Sequence, residues 1–258
     1  MLAQERRNQL LELVRMRGFA SLDELTKALK VSESTVRRDA EYLEDQGSAS
    51  RIHGGVLYTG GSPKLPHFEA RQANCWHEKR AIAGLAVSLV DDGDAILLDG
   101  GSTTYEVARL LVGRPVHVVT NSLPVANLFA SDQASELLVV GGSVCPRTGV
   151  IRGPQANAML GSLRVRKTIL SVAAINDEGF FNNNPLLVET EQAMMQAADE
   201  VIVVADSSKF GHRSLTHLCE LGGVEYLVVD SGITEEWKTR VLAAGVKLMV
   251  AERVMNDE

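Results

Sequence analysis

Apolar positions in the first part of the chain fall at helical spacing in three successive runs. Leu2, Leu10, Leu13 and Val14 share one face of a first helix, which Gly18 stops. Ser21 and Glu24 form a Ser-x-x-Glu capping box, in which each side chain satisfies a backbone N–H of the first turn. It opens a second helix whose buried side is Leu22, Leu25 and Leu29. After a short turn at Lys30-Val31, Ser32 caps a third helix that runs to about Asp45. Val36, Ala40 and Leu43 recur at i, i+4 and i+7 and give its apolar face, which leaves Ser34, Thr35, Arg37, Arg38 and Glu41 on the other faces. Gly47 ends that helix, and the run from Ser48 to Tyr58 reads as two short extended pieces that pair as a hairpin.

The rhythm then breaks. Residues 59–66, TGGSPKLP, concentrate Gly, Pro and Thr and read as a linker or domain boundary. From His67 to about Asp91 the pattern is helical, with Ile82, Leu85, Ala86 and Leu89 on one side. Beyond Asp94, short apolar strands alternate with amphipathic helices. The strands are Ala95–Leu98, Val116–Val119, Leu137–Val140, Thr168–Val172, Val201–Ala205, Tyr226–Val229 and Lys247–Val250. The helices between them include Thr103–Leu111, Leu123–Ala130, Val188–Ala198 and Glu235–Ala244. Near-continuous apolar strands joined by helical crossovers predict a parallel sheet covered on both faces. The expected architecture is a small three-helix head with a hairpin over residues 1–58, a linker over 59–75, and a larger, mostly parallel α/β domain over 76–253.

Composition changes this picture only at the margins. The chain has 258 residues, 45% hydrophobic and 23% charged, as in ordinary globular proteins. No apolar run reaches the ~18 residues of a membrane span, and MLAQERRNQL is not of signal-peptide type. Three scattered cysteines (Cys75, Cys145, Cys219) argue against a disulfide framework or a cysteine-rich zinc site, and a reducing cytoplasm is the expected setting. The formal net charge is −7, yet residues 1–58 hold nine Lys/Arg and nine Asp/Glu. The head is neutral and the excess acid lies beyond it. A neutral head still binds nucleic acid if its cations share a face, because phosphate contacts are local.

Candidate chemistry gathers at one place. In an open parallel sheet, ligands bind outside the carboxyl ends of the strands. Those ends read Asp99-Gly100-Gly101-Ser102-Thr103-Thr104, then Thr120-Asn121-Ser122, then Gly141-Gly142-Ser143, and Asp206-Ser207-Ser208-Lys209. Glycines that let backbone approach an anion, hydroxyl donors and free N–H groups at a helix start suit a phosphorylated or acidic small ligand. Lys209 is placed to neutralise a phosphate, and Lys79 with Arg80 precede the sheet and can fold over the same edge. Glu189 and Glu191 lie two apart on one helix and face different ways, so at most one serves the site; Glu189 is the one expected there. No Walker A motif and no GxGxxG follow the first strand, and the six histidines lack metal-ligand spacing. Neither a cofactor nor a metal is expected.

Both halves resemble the DeoR-type bacterial transcription regulators. The head carries the resemblance in Ser21–Leu25, in Val31-Ser32-Glu33-Ser34-Thr35-Val36-Arg37-Arg38-Asp39 and in Arg51-Ile52-His53-Gly54-Gly55. The larger domain carries it in Glu78–Ala83, Asp99–Thr104, Val119–Ser122, Gly141-Gly142 and Asp206–Gly211. The resemblance implies a winged helix-turn-helix repressor that binds double-stranded operator DNA. Ser34, Thr35, Arg37 and Arg38 on the recognition helix, and Arg51, His53, Gly54 and Gly55 in the wing, would contact the DNA. It implies a sensor domain similar to ribose-5-phosphate isomerases, whose effector is a phosphorylated sugar or polyol. The implied effector contacts are Lys79, Asp99, Gly101, Ser102, Thr103, Thr104, Thr120, Asn121, Ser122, Gly141, Gly142, Glu189, Asp206 and Lys209. A homo-oligomer, dimer or tetramer, is implied as well. The run Ala173–Asn184 departs from the family pattern, with Phe180-Phe181 in place of a Leu-Thr pair, and is expected to border the effector. The competing reading is a sugar-phosphate isomerase with an added head, for which Asp99 or Glu189 would be the general base.

Overall fold

The computed structural model describes residues 3–17, 19–45, 48–52, 55–58 and 68–252. The chain divides into two compact units, Met1–His67 and Phe68–Glu258.

In the first unit, α1 (Ala3–Arg17), β1 (Phe19–Ser21), α2 (Leu22–Leu29), α3 (Glu33–Asp45), β2 (Ala49–Ile52) and β3 (Gly55–Tyr58) follow in order. The capping box forms as expected: Glu24 N donates to Ser21 Oγ at 3.2 Å and Ser21 N donates to Glu24 Oε2 at 2.8 Å. Lys30 ends α2 in the left-handed region at φ 53°, and Ser32 receives the first N–H groups of α3. One core joins Leu10, Val14, Leu25, Leu29, Val36, Ala40, Leu43, Ala49 and Val56. The strand β1 escapes the sequence pattern, being three residues long. It pairs antiparallel with β3, whose other edge takes β2. Gly55 is thus the first residue of a central strand, buried and paired with both Ser21 and Ile52. Of the expected wing residues, Gly55 is therefore part of the sheet itself. His53 and Gly54, like Gly18, Gly47 and the whole 59–67 stretch, lie outside the described residues.

A buried ionic clamp, unforeseen from sequence, ties α1 to α3. Asp39, 1% exposed, accepts from Arg6 Nε at 2.5 Å and from Arg7 Nε at 3.2 Å, and the Arg7 guanidinium stacks 3.8 Å over the Tyr42 ring.

The second unit opens with α4 (Phe68–Ala73) and α5 (Trp76–Ala86), then β4 (Ala95–Leu98), α6 (Ser102–Leu111), β5 (His117–Thr120), α7 (Leu123–Phe129) and β6 (Glu136–Val139). A hairpin of β7 (Ser143–Cys145) and β8 (Val150–Arg152) leads to α8 (Pro154–Gly161) and β9 (Val165–Ser171). There follow β10 (Ala174–Asn176), β11 (Gly179–Asn182), α9 (Pro185–Gln196), β12 (Ala198–Ala205), β13 (Thr216–Cys219), β14 (Tyr226–Asp230), α10 (Glu235–Ala243) and β15 (Lys247–Ala251). The seven expected strands form one sheet in the order β15-β14-β12-β9-β4-β5-β6, every pair parallel. Its two faces bury separate clusters, one around Leu97, Leu170 and Val203 and the other around Ile96, Leu98 and Ile202. The chain runs outward from β4 to β6, then returns to the far side of β4 at β9. The switch in direction therefore lies between β4 and β9, where their carboxyl ends open a crevice.

The Ala173–Asn184 run is no open loop. It folds into the β10–β11 hairpin, which pairs with β13, and Phe180 and Phe181 are fully buried. Gly179 makes the turn at φ +122°, where a Cβ would lie 2.1 Å from the Cys219 carbonyl oxygen. At the amino edge of the sheet, Lys167 on β9 and Asp94 ahead of β4 pair at 2.7 Å, both buried.

Candidate functional site

On α3, every second or third side chain points away from the core because Val36, Asp39, Ala40 and Leu43 fill the inner face. Ser34, Arg37 and Arg38 are exposed and Thr35 is half-buried. The hydroxyls of Ser34 and Thr35 each meet Ser32 Oγ at 2.9 Å, so the start of α3 is held in a small hydroxyl network. Arg37 is engaged with Glu33, one turn back, with Nη2 to Oε1 at 2.5 Å. Arg38 has no ion-pair or hydrogen-bond partner among the described residues. It is the cation on this helix that an incoming phosphate or base edge would meet without displacing a carboxylate. Arg51 behaves otherwise. Its Nε donates to Glu44 at 2.8 Å, its backbone N–H donates to the same carboxylate at 2.9 Å, and Glu41 lies 3.4 Å away. The expected wing cation is thus a strut between β2 and α3, and DNA would have to compete with two glutamates for it.

In the sensor unit the crevice is built around the β4–α6 turn. Asp99 is 3% exposed. Burial pushes its carboxyl above the ordinary value, against the backbone N–H groups of Gly100, Gly101 and Ser171 and the nearby Arg71 guanidinium. A Cβ on Gly101 would lie 1.5 Å from Ser171 Oγ, and one on Gly100 would lie 2.2 Å from Val150 Cγ2. These glycines are demanded by close packing of β4 against β9 and the β7–β8 hairpin, a different reason from the anion approach that the sequence suggests. α6 begins at Ser102 after Gly101, which has no side chain to cap the first-turn N–H groups. Ser102, Thr103 and Thr104 are buried, and Thr104 Oγ1 has no partner.

Thr120 at the end of β5 and Ser122 just beyond it act as braces. Thr120 Oγ1 donates to the Leu98 carbonyl at 2.7 Å and accepts from Ser122 N at 3.1 Å. Ser122 Oγ in turn caps α7 by accepting from Val125 N. Asn121 donates through Nδ2 to the Ile151 carbonyl, while its Oδ1 is buried with no partner. Gly141 and Gly142 are exposed at the rim beyond β6. Lys79 is 4% exposed, and its ammonium donates to the carbonyls of Arg71 and Asn74 at 2.5 Å each. Burial lowers its pKa, with Asp206 opposing and Lys209 adding to the fall. It fixes the α4–α5 junction beside the crevice. Asp206 and Lys209 pair at 3.8 Å, and Asp206 caps the short turn after β12. A cavity of about 290 Å³ adjoins them, lined by Cys75, Asp206, Ser207, Asp230 and Gly232 among others.

Glu189 is exposed, while Glu191 is fully buried, because residues two apart on α9 face opposite sides and Val188, Glu191 and Met194 take the inner one. Glu191 Oε1 accepts from Asn182 Nδ2 at 2.6 Å. Burial, then the neighbouring Asp99 charge, hold Glu191 well above the ordinary carboxylate range. Sequence reasoning missed Arg71 and Arg147 altogether. Arg71 is strongly desolvated, which lowers its pKa, and it leaves its Nε unpartnered; Arg147 Nε is likewise buried and bare. The main chain ties the two neighbourhoods together, since Phe68 N donates to the Arg147 carbonyl and the Arg71 guanidinium lies 5.6 Å from the Phe68 ring. Among the described residues no helix is long and apolar enough to cross a membrane, and no cluster of His, Cys, Asp and Glu is arranged for a metal.

Comparison with known proteins agrees with both units. Residues 6–60 match the DeoR-like helix-turn-helix domain, and residues 75–231 match the DeoR C terminal sensor domain. The uncharacterized HTH-type transcriptional regulator YulB of Bacillus subtilis is 33% identical over 90% of this chain and 91% of its own. The transcriptional repressor AccR of Agrobacterium fabrum is 32% identical over 89% and 90%, and the HTH-type transcriptional repressor CsqR of Escherichia coli K12 is 31% identical over 96% and 95%. Among solved structures, ribose 5-phosphate isomerase A of Methanocaldococcus jannaschii aligns at 20% identity with a TM-score of 0.38, over 51% of this chain and 53% of that one, too distant a likeness to bear on function. The relatives with matching heads are regulators and not isomerases. The chain belongs to the DeoR family of transcription regulators, a DNA-binding helix-turn-helix head followed by a sensor domain.

Proposed function

We propose that this protein represses a carbohydrate-metabolism operon and that a phosphorylated sugar or polyol, seated at the carboxyl edge of the sensor sheet, controls its affinity for operator DNA. The observation that carries the ligand half is the pair of buried guanidinium N–H groups without partners, on Arg71 and Arg147, in the same unit as the uncapped start of α6. Desolvated cations with spare donors and a helix N-terminus are what a phosphate dianion needs. Lys79, Ser102, Thr103 and Thr104 complete that end, and Asp99, Asn121, Asp206 and Lys209 serve the sugar end. Thr120 and Ser122 shape the crevice from behind. The names of the AccR and CsqR relatives support repression. A homo-oligomer on paired sites is supported by the family resemblance, and a cytoplasmic setting by the three free cysteines.

The DNA half is tested at Arg38. Arg38→Ala is expected to weaken operator binding about tenfold and to reduce the salt slope by roughly one unit, the signature of one lost phosphate contact. Fluorescence anisotropy against salt reads both. An unchanged slope would remove Arg38 from the interface.

For the ligand half, inorganic phosphate and a panel of sugar phosphates are to be screened by thermal melting. A ligand at 100 times its Kd adds about 2.7 kcal/mol of stability. Arg71→Ala is expected to abolish that gain with every phosphorylated compound. Retention of the full gain would place the phosphate elsewhere.

A further inference from the structure

The carboxyl edge of the sensor sheet has more unsatisfied acceptors than a phosphate can explain. Asp99 Oδ1, Asn121 Oδ1 and Glu191 Oε2 are buried side-chain oxygens with no hydrogen-bond partner among the described residues. The orientation of Asn121 is fixed, because its amide nitrogen donates to the Ile151 carbonyl at 3.2 Å. Asn182 has no donor to spare. Its amide nitrogen is shared between the Ser171 carbonyl at 3.3 Å and Glu191 Oε1 at 2.6 Å. Phosphate oxygens are acceptors too and can satisfy neither the Asn121 amide oxygen nor an ionised carboxylate. Whatever completes this end must bring N–H or O–H groups.

Charge narrows the choice. Asp99 has Arg71 near it, but the groups that act on Glu191 are Asp99 and Asn182, neither of them a cation. Two neighbouring buried carboxyls, with a cation near Asp99 alone, leave a place for a second positive charge. A sugar hydroxyl donates one hydrogen and brings no charge. An ammonium donates three and neutralises one carboxylate.

We propose that the effector carries a primary amine as well as a phosphate, as an amino-sugar phosphate does, and that its ammonium is held between Asp99 and Glu191. The proposal rests on the phosphate reading above and adds to it the chemistry of the opposite end. Glu191 and Asn182 then select the ligand, while Arg71 and the start of α6 anchor it. The β10–β11 hairpin, packed through Phe180 and Phe181, holds Asn182 against Glu191 and so sets the selectivity.

The test is calorimetric titration of the full chain with matched pairs: glucosamine, galactosamine and mannosamine 6-phosphates against the parent hexose 6-phosphates. At least one amino compound is expected to bind about tenfold or more tightly than its parent, and Glu191→Gln is expected to cut that preference below about threefold. Glutamine keeps the shape and the oxygen that Asn182 reaches, and loses the charge. If in every pair that binds the parent is as tight as its amino partner, the proposal is wrong, whether or not the variant folds. A preference that survives Glu191→Gln also overturns it. So does failure of all the sugars to bind, and inorganic phosphate then separates the two readings. Thermal protection by phosphate that Arg71→Ala removes would keep the phosphate site and discard the amine alone.

Discussion

The Asp39→Asn variant is expected to lose about 3 kcal/mol of head stability, because removing one partner from a buried ion pair leaves the others uncompensated. Asp39 is 1% exposed and holds two arginines of α1 against α3. Asparagine keeps one acceptor but turns its amide hydrogens toward a guanidinium. A unit of this size has roughly 5 kcal/mol to lose in all, so most of its margin goes. The calorimetric transition of the head should fall by about 10–20 °C. Operator binding should be weak at 37 °C and recover on cooling, since Ser34, Thr35 and Arg38 are untouched. A head that melts with the wild type would show that the clamp adds nothing beyond what water supplies.

The second large effect lies at the amino edge of the sensor sheet, away from the ligand. Burial alone would push Asp94 up, but the Lys167 ammonium, the Asp91 backbone N–H and Arg166 outweigh it and hold the carboxyl below its ordinary value. A depressed folded-state pKa contributes stability that is present above the unfolded value and is lost as pH falls through the folded one. Lys167→Met removes that contribution and strands Asp94 with Arg166, 3.3 Å away, as its remaining cation. The expected loss is about 2–3 kcal/mol at pH 7, or a fall of roughly 5–10 °C in Tm for a unit of this size. Below about pH 4 the gap between variant and wild type should close, because the wild type loses its ion pair and the variant's carboxyl is relieved by protonation. A gap of equal size at both pH values would assign the loss to packing of the lysine stem.

Much of this is legible in the sequence. The capping box at Ser21, the cap at Ser32 and the seven apolar strands are local signals, and periodicity with caps is what a linear pattern encodes best. The side of α9 that faces the sheet is not local. It depends on where Asn184 starts the helix and how α9 settles on the strands, so the sequence does not say which of Glu189 and Glu191 is buried. Arg71 escaped notice because it stands within the expected linker, in a six-residue helix whose short pattern carries no signal of burial. Asp39 reads as one more polar residue on a charged helix until α1 brings two arginines to it. Gly100 and Gly101 were legible as special positions but not for the right reason, since the neighbours that crowd them come from β8 and β9. What sequence hides here is long-range partnership, and the proposed effector site consists largely of such partnerships.

The short helix α4 has one more consequence. Phe68 is the first residue of the sensor unit, and Arg71 follows within the next turn. The chain therefore enters the sensor through the very segment that would grip the effector. If the effector controls operator affinity as proposed, binding at this segment and binding of DNA by the head are energetically coupled. Energetic coupling of this kind is symmetric: if the effector changes operator affinity by some factor, operator DNA changes effector affinity by the same factor. A calorimetric titration of effector with and without operator would thus measure the switch from its other end.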